Sequence, residues 1–185
     1  MTEGPEDGLL NADHILAVLA HHQVEFVLVG SYGAIVQGVE LPLTDIDIVP
    51  DGGQLNLERL VEALKELAAT RINAAPGESL IPTFFDDPSA IMKNDVWNLK
   101  TPSGKLDLVL HPSGFDSGYD AFIRNARQLQ ITGSGHAAPI TVLVADAYDI
   151  YLSKRRAGRG KDHAMLKAFE SVVREHYKHQ EAPTI

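Results

Sequence analysis

The sequence contains no cysteine, an absence that removes disulfide frameworks, thiolate zinc sites and a catalytic thiol together and points to a reducing compartment, the cytoplasm. Long apolar runs are missing as well. No segment reaches the roughly 18 residues of a membrane span, and Met1-Thr2-Glu3-Gly4-Pro5-Glu6-Asp7-Gly8 has neither the basic start nor the apolar stretch of a secretion signal. The expectation is a soluble protein with no membrane partner. Basic residues are scarce, 16 against 25 acidic ones, for a net charge of −9. That balance argues against a general nucleic-acid binder, whose phosphate contacts normally bring a basic domain. The basic charge is also unevenly spread: Lys154-Arg155-Arg156-Ala157-Gly158-Arg159-Gly160-Lys161 holds five of the 16 lysines and arginines. There is no repeat, heptad run or clear linker.

At 185 residues and 44% apolar, the chain has the size of one ordinary domain, or of a catalytic domain with a small helical appendage. Ile15, Leu16, Val18 and Leu19 stand at helical spacing within residues 11–22, behind Asn11 or Asp13 as the cap. Val24 to Val29 is an apolar run ending at Gly30, the pattern of a buried strand meeting a tight turn, and a helix-like segment continues to Gln37. After a loop from Gly38 to Leu43, Thr44 to Val49 alternates with period two and stops at Pro50-Asp51-Gly52-Gly53. Leu57, Leu60, Val61, Leu64 and Leu67 predict an amphipathic helix from Leu55 to Thr70. Residues 73–94 read mainly as loop, with a short strand near Leu80-Ile81. Asp95 to Lys100 and Lys105 to His111 form a hairpin around Thr101-Pro102-Ser103-Gly104. Tyr119 to Gln128 reads as a short helix, and residues 129–132 and 139–144 as two strands around a Gly-rich turn, with their pairing open. Two helices close the chain, Ala145 to Arg156 and Lys161 to His179, so the basic stretch lies at their junction.

Two carboxylates at i and i+2 on one strand leave the same face with Cβ atoms roughly 6–7 Å apart. Asp45 and Asp47 form such a pair, with Ile46 pointing the other way into the core. Asp107, between Leu106 and Leu108 on a later strand, completes a three-carboxylate site if its strand lies beside the first. An oxygen-only set of this kind suits magnesium shared with substrate phosphates. Strand, Gly30-Ser31, helix supplies a cradle for phosphates: glycine lets the backbone come close, and the following N–H groups and the Ser31 hydroxyl donate hydrogen bonds. Either motif alone is weak, since Gly-Ser is an ordinary turn and Asp-x-Asp an ordinary solvated strand face. Their separation by about fifteen residues, with the later Asp107 and the basic junction, makes a specific combination.

Val29-Gly30-Ser31 followed by Thr44-Asp45-Ile46-Asp47 resembles the Gly-Ser and Asp-x-Asp signature of polymerase β-type nucleotidyltransferases, and Lys105-Leu106-Asp107-Leu108-Val109 resembles the strand carrying their third carboxylate. Leu152 to Asp162 is similar to the Lys-Arg-x-x-Gly-Arg-x-Lys-Asp segment of the AbiEii and MenT nucleotidyltransferase toxins of bacterial toxin–antitoxin systems. The resemblance covers about residues 11–175. It implies an α+β, polymerase β-like nucleotidyltransferase fold: a mixed sheet flanked by helices, a catalytic core over residues 1–144, and C-terminal helices over 145–185 that complete the site as one compact unit. It implies further that Lys154 meets the triphosphate, that Arg159 belongs to the nucleotide site, and that Lys161 and Asp162 close it. Some members of the branch add nucleotides to the 3′ end of tRNA and block aminoacylation. The resemblance thus implies a toxin acting on tRNA and neutralised by a cognate antitoxin protein, with a pyrimidine triphosphate such as CTP favoured. Leu41-Pro42-Leu43-Thr44 lacks the basic residue many relatives carry there, which leaves the nucleotide open.

The expected chemistry is nucleotidyl transfer with two magnesium ions, or manganese in their place, held by Asp45, Asp47 and Asp107. Asp107 is the candidate base toward the attacking hydroxyl, while Ser31 and Lys154 neutralise charge on the phosphate tail. A small hydroxylated antibiotic of the aminoglycoside type, or a protein hydroxyl, is the alternative acceptor. Thr44 is either a hydroxyl beside the triphosphate, open to silencing modification, or a plain strand-edge threonine. Tyr32 either stacks on a base or packs. The histidines, His21-His22 and His176-x-x-His179 among them, read as surface residues more readily than as ligands.

Overall fold

The computed structural model describes residues 10–72, 84, 86–132 and 139–181, with the backbone alone at 161, 177 and 179–181. Helix α1 (Ala12–His21) starts where the Asn11 side chain accepts a hydrogen bond from the His14 N–H, satisfying one of the donors a helix start leaves open. Strand β1 (Phe26–Val29) passes into helix α2 (Gly30–Ile35) with no loop between them. Strand β2 (Asp45–Pro50), helix α3 (Gln54–Glu66) and a short strand β3 (Thr70–Arg71) follow. A 3₁₀ turn (Pro88–Lys93) leads to the hairpin of β4 (Val96–Thr101) and β5 (Gly104–Val109). Then come helix α4 (Tyr119–Phe122), strands β6 (Arg127–Ile131) and β7 (Ile140–Val144), and helices α5 (Ala147–Ala157), α6 (Gly160–Leu166) and α7 (Glu170–Glu181).

Among the described residues the strands form one seven-stranded sheet in the order β3-β4-β5-β2-β1-β7-β6. The sheet is mixed: β2 runs antiparallel to β1 and parallel to β5, and β7 runs parallel to β1. This α+β architecture is consistent with the polymerase β-like nucleotidyltransferase fold that the sequence resemblance implies. Strand alternation divides the core in two. Leu28, Ile46, Ile48, Leu106 and Leu108 face α1 and α3 and pack against Ile15, Leu16, Leu19, Leu57, Leu60 and Leu64. Val27, Val29 and Val49 face the other way, against Phe122, Ile150 and Phe169. Each such fully buried aliphatic or aromatic side chain contributes about 1.5–3 kcal/mol relative to exposure. No helix among the described residues is long and apolar enough to cross a membrane.

Three boundaries differ from the periodicity. Helix α3 stops at Glu66 rather than Thr70: Leu67 caps it, Ala68 takes a positive φ of 46°, and the chain turns so that Thr70 and Arg71 pair with β4. Helix α4 stops at Phe122 rather than Gln128, because Arg127 onward is captured by β7, in the register Arg127↔Val144 to Ile131↔Ile140. The long last helix is broken by a 3₁₀ turn at Lys167–Phe169, which carries Phe169 into the second core. Within the expected loop before the hairpin, Pro88–Lys93 is ordered as 3₁₀ turn, started by Asp87 accepting from the Ser89 N–H. The strand expected near Leu80-Ile81 and the Gly-rich turn between β6 and β7 lie outside the described residues.

Candidate active site

Strand parity determines where the carboxylates go. Since Ile46, Ile48, Leu106 and Leu108 take the α1/α3 face, Asp45, Asp47 and Asp107 must take the opposite one. The β2–β5 pairing sets Asp47 directly beside Asp107, with Asp45 beside Lys105, on neighbouring strands that sheet geometry holds roughly 4.8 Å apart. All three are half-buried. Thr44, just before β2, donates its hydroxyl hydrogen bond to Asp45 Oδ1 at 3.1 Å, so the threonine is part of this cluster's rim.

The other side of the site is the end of β1. Val29 pairs with Asp47, which brings Gly30 under that carboxylate. Gly30 has φ 64°, and a Cβ there would lie 1.8 Å from Asp47 Oδ2. Glycine is therefore required twice, for the backbone conformation and for the space the carboxylate occupies. Ser31 is buried in the first turn of α2, and its Oγ accepts from Lys154 Nζ at 3.4 Å. Tyr32, the next residue, packs in the core on the α1/α3 face, where burial and, after it, the charge of Asp13 raise its pKa. That settles its two readings in favour of packing.

Lys154 reaches the site from α5, which Asp146 caps by accepting from the Tyr148 N–H. The helix ends at Gly158 in the left-handed conformation, φ 61°, with its N–H donating to the Lys154 carbonyl. This turn delivers Arg159 and Asp162. Arg159 Nε donates to Asp162 Oδ2 at 2.6 Å and Nη2 to Oδ1 at 3.3 Å, a two-pronged pair whose carboxylate is only 1% exposed while the guanidinium stays largely open. Burial raises the Asp162 pKa, but the hydrogen bond and charge of Arg159 with the charge of Lys154 outweigh it and hold the carboxyl below its ordinary range. Arg159 is shifted up, first by its bond to Asp162 and then, against its own burial, by the charges of Asp162, Asp47 and Asp107. Lys154 is shifted down, chiefly by burial, with Arg159 adding to the shift and Asp47, Asp162 and Asp45 opposing it. The charges of Lys154 and Arg159 are thus coupled to those of the carboxylates on the sheet.

Gly30, Ser31, Thr44, Asp45, Asp47, Asp107, Lys154, Arg159 and Asp162 are all brought to this place. Lys161 lies in the first turn of α6 beside them, its side chain outside the described residues. The donors facing the space from the sheet are carboxylate oxygens, a set that fits magnesium or manganese and disfavours softer ions. Their oxygens are not all gathered within 4.8 Å of one another, a closeness that among the described residues is reached by the group His21, His22 and Glu66.

No family model and no curated protein matches the sequence. A solved structure similar to it is that of a "putative nucleotidyltransferase" from Thermotoga maritima, at 15% identity and a TM-score of 0.48, over 90% of this chain and 98% of that one. At that distance the reading of the site rests on its own geometry.

On the same helix as Lys154 opens a cleft of about 660 Å³ lined by Gly114, Phe115, Asp116, Leu152, Arg155 and Arg156. Arg155 and Arg156 belong to the basic stretch singled out above. The Gly114–Asp116 wall does not, and nothing local in the sequence marks it: Gly114, at φ 82°, is met by the stem of Arg156, 42 residues away, 3.2 Å from where its Cβ would stand.

Proposed function

We propose that the protein is a metal-dependent nucleotidyltransferase that moves a nucleoside monophosphate from a nucleoside triphosphate to an acceptor hydroxyl. The observation that carries this reading is the convergence of Gly30-Ser31, the Asp45/Asp47/Asp107 face and Lys154, drawn from β1–α2, β2, β5 and α5, on one space. An acidic face of carboxylates opposite a lysine and beside a Gly-Ser turn suits a magnesium-bound triphosphate.

In the reaction the acceptor oxygen bonds to the α-phosphorus, the bond from that phosphorus to the β-phosphate bridging oxygen breaks, and pyrophosphate leaves. Asp107 takes the proton of the attacking hydroxyl. Asp45, Asp47 and Asp107 would hold magnesium or manganese, which supplies charge neutralisation and acidification of the attacking group. Ser31 and Lys154 bind the phosphate tail as it gains charge, and the buried Asp162 keeps Arg159 turned toward the same space. In this reading the chain beyond Val144 completes the site of the preceding core rather than forming a separate unit.

The acceptor we assign is the 3′ end of tRNA, with the protein acting as a growth-inhibiting toxin held in check by a cognate antitoxin. Two features support it: the similarity of Leu152 to Asp162 to the AbiEii and MenT toxin segment, and the cleft on the helix that carries Lys154, where Arg155 and Arg156 offer phosphate contacts and Phe115 an aromatic surface. The resemblance favours a pyrimidine triphosphate, CTP first. The net charge of −9 favours a cationic small molecule instead, because acidic surfaces attract cationic ligands. Incubating the protein with each α-labelled triphosphate, magnesium and total tRNA tests the acceptor. Label on RNA from one nucleotide supports the toxin reading; label on an aminoglycoside or a protein and never on RNA overturns it.

A further inference from the structure

On the opposite face of the sheet from the carboxylates, helices α1 and α3 end side by side. His21 is the last residue of α1, His22 its cap, and Glu66 the last residue of α3. His22 Nε2 and Glu66 Oε2 are 2.7 Å apart, the rings of His21 and His22 stand edge to face at 5.2 Å, and one ligand atom from each of the three residues lies within 4.8 Å of the others. None of the three belongs to either part of the core or to the candidate active site. We propose that His21, His22 and Glu66 form a zinc-class metal site that ties the end of α1 to the end of α3.

Three arguments carry this. Two imidazoles and a carboxylate, with water in a fourth position, are a donor set that zinc accepts, and its nitrogen content separates it from the oxygen-only face that suits magnesium. The distances are near what is needed. Tetrahedral zinc with bonds of about 2.0–2.1 Å sets its ligand atoms roughly 3.3 Å apart, so His22 and Glu66, at 2.7 Å, must open slightly and His21 must adjust to them. His21 and Glu66 are exposed and His22 half-buried, so side-chain rotation allows both movements. His21 and Glu66 each close a helix, and the partial negative charge of a helix C-terminus favours a cation. The ion would join residues 44 positions apart, so a metal that binds only the folded chain raises its stability in proportion to the logarithm of its concentration.

The test is a calorimetric titration of metal-stripped protein with zinc in saturating magnesium, which occupies the carboxylate face, alongside thermal melts with and without zinc. Wild type should bind one zinc and melt higher in its presence. His21→Ala, whose side chain is exposed and leaves the core untouched, should weaken binding at least tenfold and lose the shift, as should Glu66→Gln. Asp47→Asn should bind zinc as wild type does. No zinc uptake by wild type overturns the proposal. So does uptake that survives in His21→Ala and Glu66→Gln, or that disappears in Asp47→Asn.

Discussion

Gly30 shows how tightly single residues are specified in the candidate site. Its missing side chain is the room in which Asp47 sits, so Gly30→Ala must displace that carboxylate as well as accept a φ of 64°. The expected outcome is a protein that still folds, by circular dichroism, and transfers nucleotide roughly 10²–10⁴-fold more slowly, the range of losing several kcal/mol of charge stabilisation. Activity within a few-fold of wild type would mean that Asp47 is not where the chemistry happens. Lys154 is specified differently, as a half-buried cation whose charged form burial disfavours and the facing carboxylates offset only in part. Lys154→Ala should lower kcat about 10²–10³-fold, as removal of a preorganised donor does, and Lys154→Arg should recover only part of it, because the planar guanidinium cannot enter as a compact point charge. Residue identity of this kind was legible early: Asp45, Asp47 and the glycine stand out by spacing alone. The reason glycine is obligatory was not, since it depends on the Val29↔Asp47 pairing between two strands.

Elements place these residues, and here the sequence was readable wherever one face of a helix or strand had to be apolar. Ile46 and Ile48 reveal β2, and Leu57, Leu60 and Leu64 reveal α3, because burial imposes the period. Reading failed where tertiary pairing overrode local pattern: β3 has two exposed residues and no periodicity to see, and Arg127 to Ile131 could not declare its partner β7. The junction between α5 and α6 lay between, its Gly158-Arg159-Gly160 break visible as composition and its left-handed turn fixed by the Lys154 carbonyl bond. Gly158→Ala meets no closer atom than 3.9 Å, so the cost is the left-handed conformation alone, about 1–2 kcal/mol. Denaturant unfolding should show that loss with an unchanged m value; no change in midpoint would contradict the role given to the turn. On the outer face of α5, Arg155→Glu with Arg156→Glu should raise the KM for RNA at least tenfold and leave the KM for the triphosphate within about twofold. Equal effects on both would place the nucleotide, not the acceptor, in that cleft.

At the scale of the whole molecule, the sheet works as a partition. One face is given over to the α1/α3 core and to the His21, His22 and Glu66 cluster at its rim; the other carries the second core and, continuing it along the same strand parity, the carboxylate face. With five of the 16 lysines and arginines in one stretch of an otherwise acidic chain, attraction for phosphate is concentrated at the junction of α5 and α6. Binding of a phosphate-rich acceptor there should weaken with salt in proportion to the few contacts the cleft can make. In the function proposed, Asp45, Asp47 and Asp107 act together as one metal-binding catalytic face. The most direct measurement is pyrophosphate release per minute with all four triphosphates and total tRNA, for wild type and Asp47→Asn, across a magnesium titration. Release should depend on magnesium in wild type and fall about 10²–10⁴-fold in the variant at saturating metal. Release that ignores magnesium, or persists in Asp47→Asn, would contradict it.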